Sequence, residues 1–353
     1  MGESLSEAFL WWRGGSNGWI PAVDEMESSP QQPTDCQSSD TARQGIVMIA
    51  ATFYSLRPMK TFREAISKQN FVITAECFLK PETDAKSIRH QADLLRDHVD
   101  AVLLTDNQFG ALHMSTIAAA RLMLENGVDP IVQLSCRNRN RISLLADLLG
   151  AAALGVTSLL LVRGNRIPKD VSSRPKLVLD INAKELIAIA ASLKTDERLR
   201  SIPDLFIGAA AVPHEPKADW VPRKLQAKAD AGAHFLLTYT CMEIDMLRRF
   251  MKRLVATQLT RRMTVIVSTA IFTSAEDAKW LRDNRPNVVI ADSIIQRLEN
   301  ARNPREEGLK ICAEQLTQLA QIPGVSGANI MATTDLAMIP QVIEATNLDE
   351  AQL

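Results

Sequence analysis

Polar residues with chemical potential stand in this chain immediately after short apolar runs. Glu76 closes the first run, in Thr74-Ala75-Glu76-Cys77-Phe78. A strand-end carboxyl flanked by apolar side chains is favoured in its neutral form and suits general-acid work. The plainer reading is a solvated carboxylate. A second run leads into Thr105-Asp106-Asn107, which also reads as a helix cap and turn. The next two lead into Gln133-Leu-Ser-Cys-Arg-Asn-Arg-Asn140 and Arg163-Gly164-Asn165. Three of the five cysteines, Cys77, Cys136 and Cys241, also fall at strand ends on what would be one rim. A three-thiolate zinc site is therefore conceivable, but no spacing places the thiols within bonding reach, and no metal is expected. The chain has no Gly-x-Gly-x-x-Gly, Walker loop or His-Glu-x-x-His.

Alternating strands and helices must position these groups. Apolar strand candidates are 71–77, 101–105, 131–136, 159–163, 206–210, 235–240, 265–269 and 328–332. Amphipathic patterns lie between them at 85–96, 115–125, 183–193, 223–231, 244–255 and 275–282. The clearest unit runs from Pro130 to Asn165. After its first strand, Asn140 caps a helix, Ile142, Leu145, Leu149 and Ala152 form its apolar face, and Gly155 ends it as a residue able to take positive φ. Eight such units predict an α/β (β/α)8 TIM barrel, with the chemistry at the carboxyl ends of its strands. A ninth strand at 288–290 would instead give a doubly wound sheet. Residues 59–353 form the expected barrel. Residues 1–58, with Gly14-Gly15-Ser16-Asn17-Gly18 and Ser28-Ser29-Pro30, read as a poorly ordered extension. Met59-Lys60-Thr61 before a helical pattern resembles a natural chain start.

Bulk properties bound the function. The chain of 353 residues is 46% hydrophobic and 23% charged, enough for a large core. A net charge of −1 gives no reason to expect nucleic acid or an anionic membrane as partner. No apolar run approaches a membrane span. Scattered cysteines point to a reducing, cytoplasmic setting.

In their order, Gln-Leu-Ser-Cys-Arg-Asn-Arg-Asn-Arg, Leu-Leu-Gly-Ala-Ala-Ala-Leu-Gly-Val and Arg-Gly-Asn resemble the flavin-dependent methylenetetrahydrofolate reductase family. The likeness runs from about Phe71 to about Glu344. It implies a barrel, FAD as cofactor, tetrahydrofolate one-carbon derivatives as partners, a homo-oligomer, and NADH or NADPH as the candidate electron partner. It places the catalytic carboxylate at Glu76, although Leu79-Lys80-Pro81 stands where the family has prolines. Thr105, Asp106, Gln133, Arg163, Gly164, Asn165, Asn182, His214, Lys224 and Lys228 become candidate cofactor contacts. Gly164 would allow close approach to a ring, and Lys228, in Lys-Ala-Asp-Ala-Gly-Ala, would face the diphosphate ahead of Arg137 and Arg139. Glu76, Asn165 and Tyr239 become the candidate substrate contacts.

This chain also departs from the family pattern. Asn165 replaces an Asp, Tyr239 stands near the family's pterin-holding Gln, Gln133 replaces a His of some members, Ala275 a stacking Phe, and Val221 and Lys224 polar flavin contacts. The resulting expectation is an FAD-dependent oxidoreductase interconverting 5,10-methylene- and 5-methyltetrahydrofolate. The alternatives are a one-carbon enzyme running toward oxidation, a non-catalytic flavin- or folate-binding barrel, and a zinc methyltransferase barrel.

Overall fold

The computed structural model describes residues 60–167, 175–199 and 202–346. The expected extension at 1–58 lies outside the described residues. The first described helix, α1 (Phe62–Lys68), begins at Thr61. The Thr61 side chain accepts from Glu64 N, and the Glu64 side chain accepts from Thr61 N, a reciprocal cap that satisfies two otherwise orphaned donors. The chain then alternates β1 (Val72–Cys77), α2 (Ala85–Leu95), β2 (Ala101–Leu104), α3 (Thr116–Glu125), β3 (Pro130–Ser135), α4 (Arg141–Ala153), β4 (Ser158–Val162), α5 (Ala183–Ser192), β5 (Phe206–Ala211), α6 (Arg223–Asp230) and β6 (Phe235–Thr238). It continues with β7 (Cys241–Met242), α7 (Ile244–Ala256), β8 (Thr264–Ile271), α8 (Ala275–Asn284), β9 (Val289–Ile290), α9 (Asp292–Asn300), α10 (Pro304–Ala320), β10 (Gly327–Ala332) and α11 (Met338–Ala345).

Eight parallel strands close in the order β1-β10-β8-β6-β5-β4-β3-β2, so the chain is a (β/α)8 barrel. The 288–290 segment does form a strand, but outside the wall: among the described residues β9 pairs with β7 alone. The expected strand at 235–240 breaks after Thr238, and Cys241–Met242 leaves the barrel to make that pair. The doubly wound alternative is thereby excluded.

Period-two alternation along each strand sends one set of side chains into the lumen and the other toward the helices. The lower lumen is filled by Val72, Leu103, Ile131, Leu160, Phe235 and Ile266. Phe62 plugs it from below, its ring edge-on to Phe206 at 5.7 Å and Phe235 at 5.3 Å. Each such aromatic pair adds about 0.5–1.5 kcal/mol beyond area burial. Gly208 is required here, because a Cβ would sit 2.2 Å from the Phe235 ring. Buried Asp129 holds the plug in place by accepting from Phe62 N at 2.7 Å.

The unit around α4 keeps its expected caps. Asn140 accepts from Ser143 N at 2.9 Å, and Gly155 takes φ 88°. Its buried face is displaced by one residue from expectation. Leu144, Leu148, Ala151 and Ala152 pack inward, whereas Ile142 is 75% exposed.

Candidate functional site

With its floor packed, the barrel opens at the carboxyl ends of its strands. Its upper lumen is polar, and a cleft there holds about 970 Å³ of empty space, counting its open mouth. Glu76 projects into it from the end of β1 and is 5% exposed. The apolar neighbours read from the sequence, Ala75 and Cys77, pack on the other side of the strand in the layer facing the helices. Glu76 itself meets polar groups. Its Oε1 accepts from Gln108 Nε2 at 3.1 Å and from Arg285 Nη2 at 3.2 Å. Its Oε2 accepts from Asn329 Nδ2 at 3.4 Å. The Asn329 amide is itself oriented, since its Oδ1 accepts from Thr74 Oγ1 at 2.9 Å and its Nδ2 also reaches Ser268 Oγ at 3.3 Å. The carboxylate is thus held in one rotamer by donors from three different segments.

Across the cleft lie Gln133, Gly164, Asn165 and Tyr239. The Tyr239 hydroxyl donates to Asn165 Oδ1 at 3.1 Å, tying the end of β6 to the turn after β4. Burial raises the Tyr239 pKa, so its hydroxyl keeps its proton. Gly164 sits at φ +84°, and a Cβ would fall 2.7 Å from Arg137 Cβ. Glycine is therefore demanded by backbone conformation and by packing. Beside it, the buried Ser135 Oγ has no hydrogen-bond partner among the described residues.

Asp106 lines the cleft but is turned to the protein. Its carboxylate takes two bonds from Arg139, at 2.6 and 3.1 Å, and one from Ser135 N at 2.8 Å. Arg137 is also consumed internally. It donates to Asn107 O at 2.6 Å and Asn165 O at 3.2 Å, and burial lowers its pKa.

The remaining candidates lie apart from this cleft. Thr105 lines a neighbouring one. Arg163 and Lys224 are exposed. Asn182 caps α5 by accepting from Lys184 N and Glu185 N. His214 packs edge-on against Trp220 at 4.7 Å and Phe250 at 5.4 Å. Lys228 donates to Ala210 O at 2.6 Å, at the end of β5, and burial lowers its pKa, with Lys224 adding to the effect.

Cys77, Cys136 and Cys241 all face the outer core rather than the lumen. Burial pushes Cys77 up to about 12 and Cys136 and Cys241 up to about 11. Among the described residues no cluster of His, Cys, Asp or Glu is placed to hold a metal ion. No described helix is long and apolar enough to cross a membrane.

Sequence reasoning missed Gln108, Ser268, Asn329 and Arg285. Ser268 and Asn329 were findable, because each sits on a lumen-facing position of an apolar strand. Arg285 comes from the loop after α8, and no local signal marks it.

A closed parallel barrel whose polar side chains converge at the carboxyl mouth belongs to the class of barrel proteins with a functional cleft on that face. Within that class the chain belongs to the methylenetetrahydrofolate reductase family, whose sequence model matches residues 61–347. Comparison with curated protein sequences gave no significant match. Among solved structures, the fold is similar to an uncharacterized protein from Clostridium thermocellum that binds two copies of 5-methyl-5,6,7,8-tetrahydrofolic acid. The TM-score is 0.60 and the identity 11%, covering 80% of this chain and 99% of that one. DmoA from Hyphomicrobium sulfonivorans gives a TM-score of 0.48 at 11% identity, covering 78% of this chain and 87% of that one.

Proposed function

We propose that this protein is an FAD-dependent oxidoreductase that interconverts 5,10-methylene- and 5-methyltetrahydrofolate, with residues 59–353 as the catalytic barrel. The observation that carries this reading is the buried Glu76 carboxylate at the carboxyl mouth, facing Gln133, Asn165 and Tyr239 across an open cleft in a member of this family. The folate-binding neighbour of the same fold agrees with it.

The residues present fit a flavin on the β3–β5 side. Ser135 Oγ, beside the Gly164 turn, is buried and without a hydrogen-bond partner among the described residues. Lys228 brings a half-buried ammonium whose described partner is a carbonyl rather than a carboxylate. A diphosphate would complete the charge at Lys228. Arg163 and Lys224 offer further exposed cations. Arg137 and Arg139 are already bonded within the protein and serve the wall rather than the cofactor.

A bound flavin supplies the hydride chemistry; the protein's share is proton handling and placement. In the reducing direction Glu76 gives a proton to N10 as the N10–methylene bond breaks, with the bond's electron pair passing to N10. In the oxidising direction the carboxylate takes that proton back. Asn165 and Tyr239, bonded to each other, offer a polar edge to the pterin. Gln133 offers an amide from the floor of the cleft.

The absorbance spectrum of the purified protein, reconstituted with FAD if necessary, tests this reading. Bands near roughly 370 and 450 nm are expected of an oxidised flavin. A protein that takes up no FAD would contradict it.

A further inference from the structure

A second cleft adjoins the Glu76 cavity, with about 920 Å³ of empty space counting its mouth. Phe78, Pro81, Trp280, Leu281 and Met331 make it largely apolar, and Lys80 stands exposed at its rim. Asp277 also lines it, but its carboxylate accepts from Thr273 Oγ1 at 2.5 Å. Gln108 and Arg285 border both clefts and form the partition between them.

Arg285 spans that partition. Its Nη2 lies 3.2 Å from Glu76 Oε1, its Nη1 lies 3.1 Å from Met331 Sδ, and its guanidinium sits 4.9 Å over the Phe78 ring. The ion pair is buried, with 12% and 7% of the two side chains exposed. Glu76 Oε2 is turned to the fully buried Asn329, and Oε1, on the cleft side, carries two donors already, so it cannot come within proton-transfer distance of a ligand nitrogen until one moves. Gln108 carries no charge to redirect. Arg285 sits on a loop whose neighbours Asn284, Pro286 and Asn287 are exposed, so of the two donors it is the one that a loop shift would move. A buried guanidinium gives up one carboxylate readily only if another replaces it.

Tetrahydrofolates carry that second carboxylate. N10 is joined to a flat aryl amide that ends in glutamate. An aryl ring suits a wall of Phe78, Trp280, Leu281 and Met331. A glutamyl carboxylate beyond it suits a planar guanidinium, with Lys80 at the open end. We propose that the second cleft takes the carboxylate-bearing aryl tail of the substrate, and that Arg285 is the positioning residue that couples the tail to Glu76. On binding, Arg285 leaves Glu76 Oε1 for the tail carboxylate and frees that oxygen to exchange a proton with N10. Recognition of the tail thereby becomes a condition of turnover as well as of affinity. This inference rests on the folate reading above.

Two arms test it on the full-length protein carrying its flavin. In the kinetic arm, 5-methyltetrahydrofolate is compared with 5-methyltetrahydropteroyl methylamide, which keeps the aryl amide and lacks both carboxylates. Wild type should lose kcat on the methylamide by about 10-fold or more, the scale of a charged hydrogen bond. Arg285→Met should show no kcat difference between the two substrates. A wild-type effect confined to KM, or an Arg285→Met protein that still discriminates in kcat, would overturn the coupling. The binding arm is calorimetric titration with p-aminobenzoylglutamate alone and needs no turnover. Wild type should bind it, with affinity about 10-fold or more weaker in Arg285→Met and also reduced in Trp280→Ala, which alters the aryl wall without touching Glu76. Binding without any folate turnover would leave the cleft assignment standing and sink only the oxidoreductase reading. No binding by wild type overturns the proposal.

Discussion

Replacing Asp106 by Asn separates a structural role for this carboxylate from a role in holding the cofactor. Asp106 has 1% of its side chain exposed and is the convergence point of three segments. It sits just past β2, accepts from the backbone of β3 through Ser135 N, and binds the Arg139 guanidinium from the turn before α4 through both oxygens. Asparagine keeps an acceptor for Ser135 N but removes the charge and one of the two oxygens facing Arg139. It also turns an amide donor toward the guanidinium. Breaking one partner of a buried pair typically costs about 3–5 kcal/mol. Arg139 retains a second carboxylate, Asp147, at 2.7 Å, so the lower end, about 3 kcal/mol, is expected. With a urea slope of about 3 kcal/mol/M for a barrel of this size, the midpoint should fall by about 1 M. The assay is urea unfolding of wild type and Asp106→Asn, both stripped of flavin. An unchanged midpoint in the stripped protein, with weakened flavin affinity, would refute the clamp and return Asp106 to the cofactor.

Asp129 gives a pH signature of its own. Burial raises its pKa from 3.8 to about 6, against the opposing bond from Phe62 N. The folded state therefore holds this proton more tightly than the unfolded chain. The stabilising contribution is fully present below 3.8 and is lost as pH rises through about 6. Asp129→Asn, which still accepts from Phe62 N, should remove that loss and be more stable at pH 8 by up to about 3 kcal/mol, at 1.36 kcal/mol per unit. Urea midpoints measured across this range check it, and a variant whose profile runs parallel to wild type would rule out Asp129 as the source. Asn165→Asp should lower the flavin midpoint potential, because a carboxylate beside the pyrimidine edge opposes the charge gained on reduction; a potential that rises or stays put counts against this placement. A chain begun at Met59 should keep its fold and its flavin, since the Thr61 cap and Phe62 plug already close the barrel floor, and thermal unfolding with flavin release would reveal any dependence on residues 1–58.

Much of the fold was legible because each strand is a short apolar run ending in polar residues, and a parallel barrel needs that pattern repeated eight times. Boundaries moved by a residue or two where strand and loop share composition, as at Tyr239-Thr240, which leaves the wall so that β7 can pair with β9. The buried face of α4 was misread because Ile142, Leu144, Leu145, Leu148 and Leu149 supply two overlapping apolar stripes. Only packing against the neighbouring strands chooses between them. Glu76, Gln133, Asn165 and Tyr239 could be placed in one cleft from their strand ends alone. The partners of Glu76 could not. Asn329 and Ser268 act through a lumen that only barrel closure creates, and Arg285 acts through a loop whose position depends on the β7–β9 pair and the Phe78 ring.

The central claim is that Glu76 and a bound flavin act together on a folate. Anaerobic mixing of the FAD-loaded protein with 5-methyltetrahydrofolate, followed at about 450 nm and by product analysis, tests it most directly. Wild type should bleach and yield 5,10-methylenetetrahydrofolate, while Glu76→Gln should retain its flavin band and lose turnover by about 100-fold or more. A wild-type flavin left oxidised by the methyl-folate, or a Glu76→Gln protein that turns over at the wild-type rate, would contradict the account.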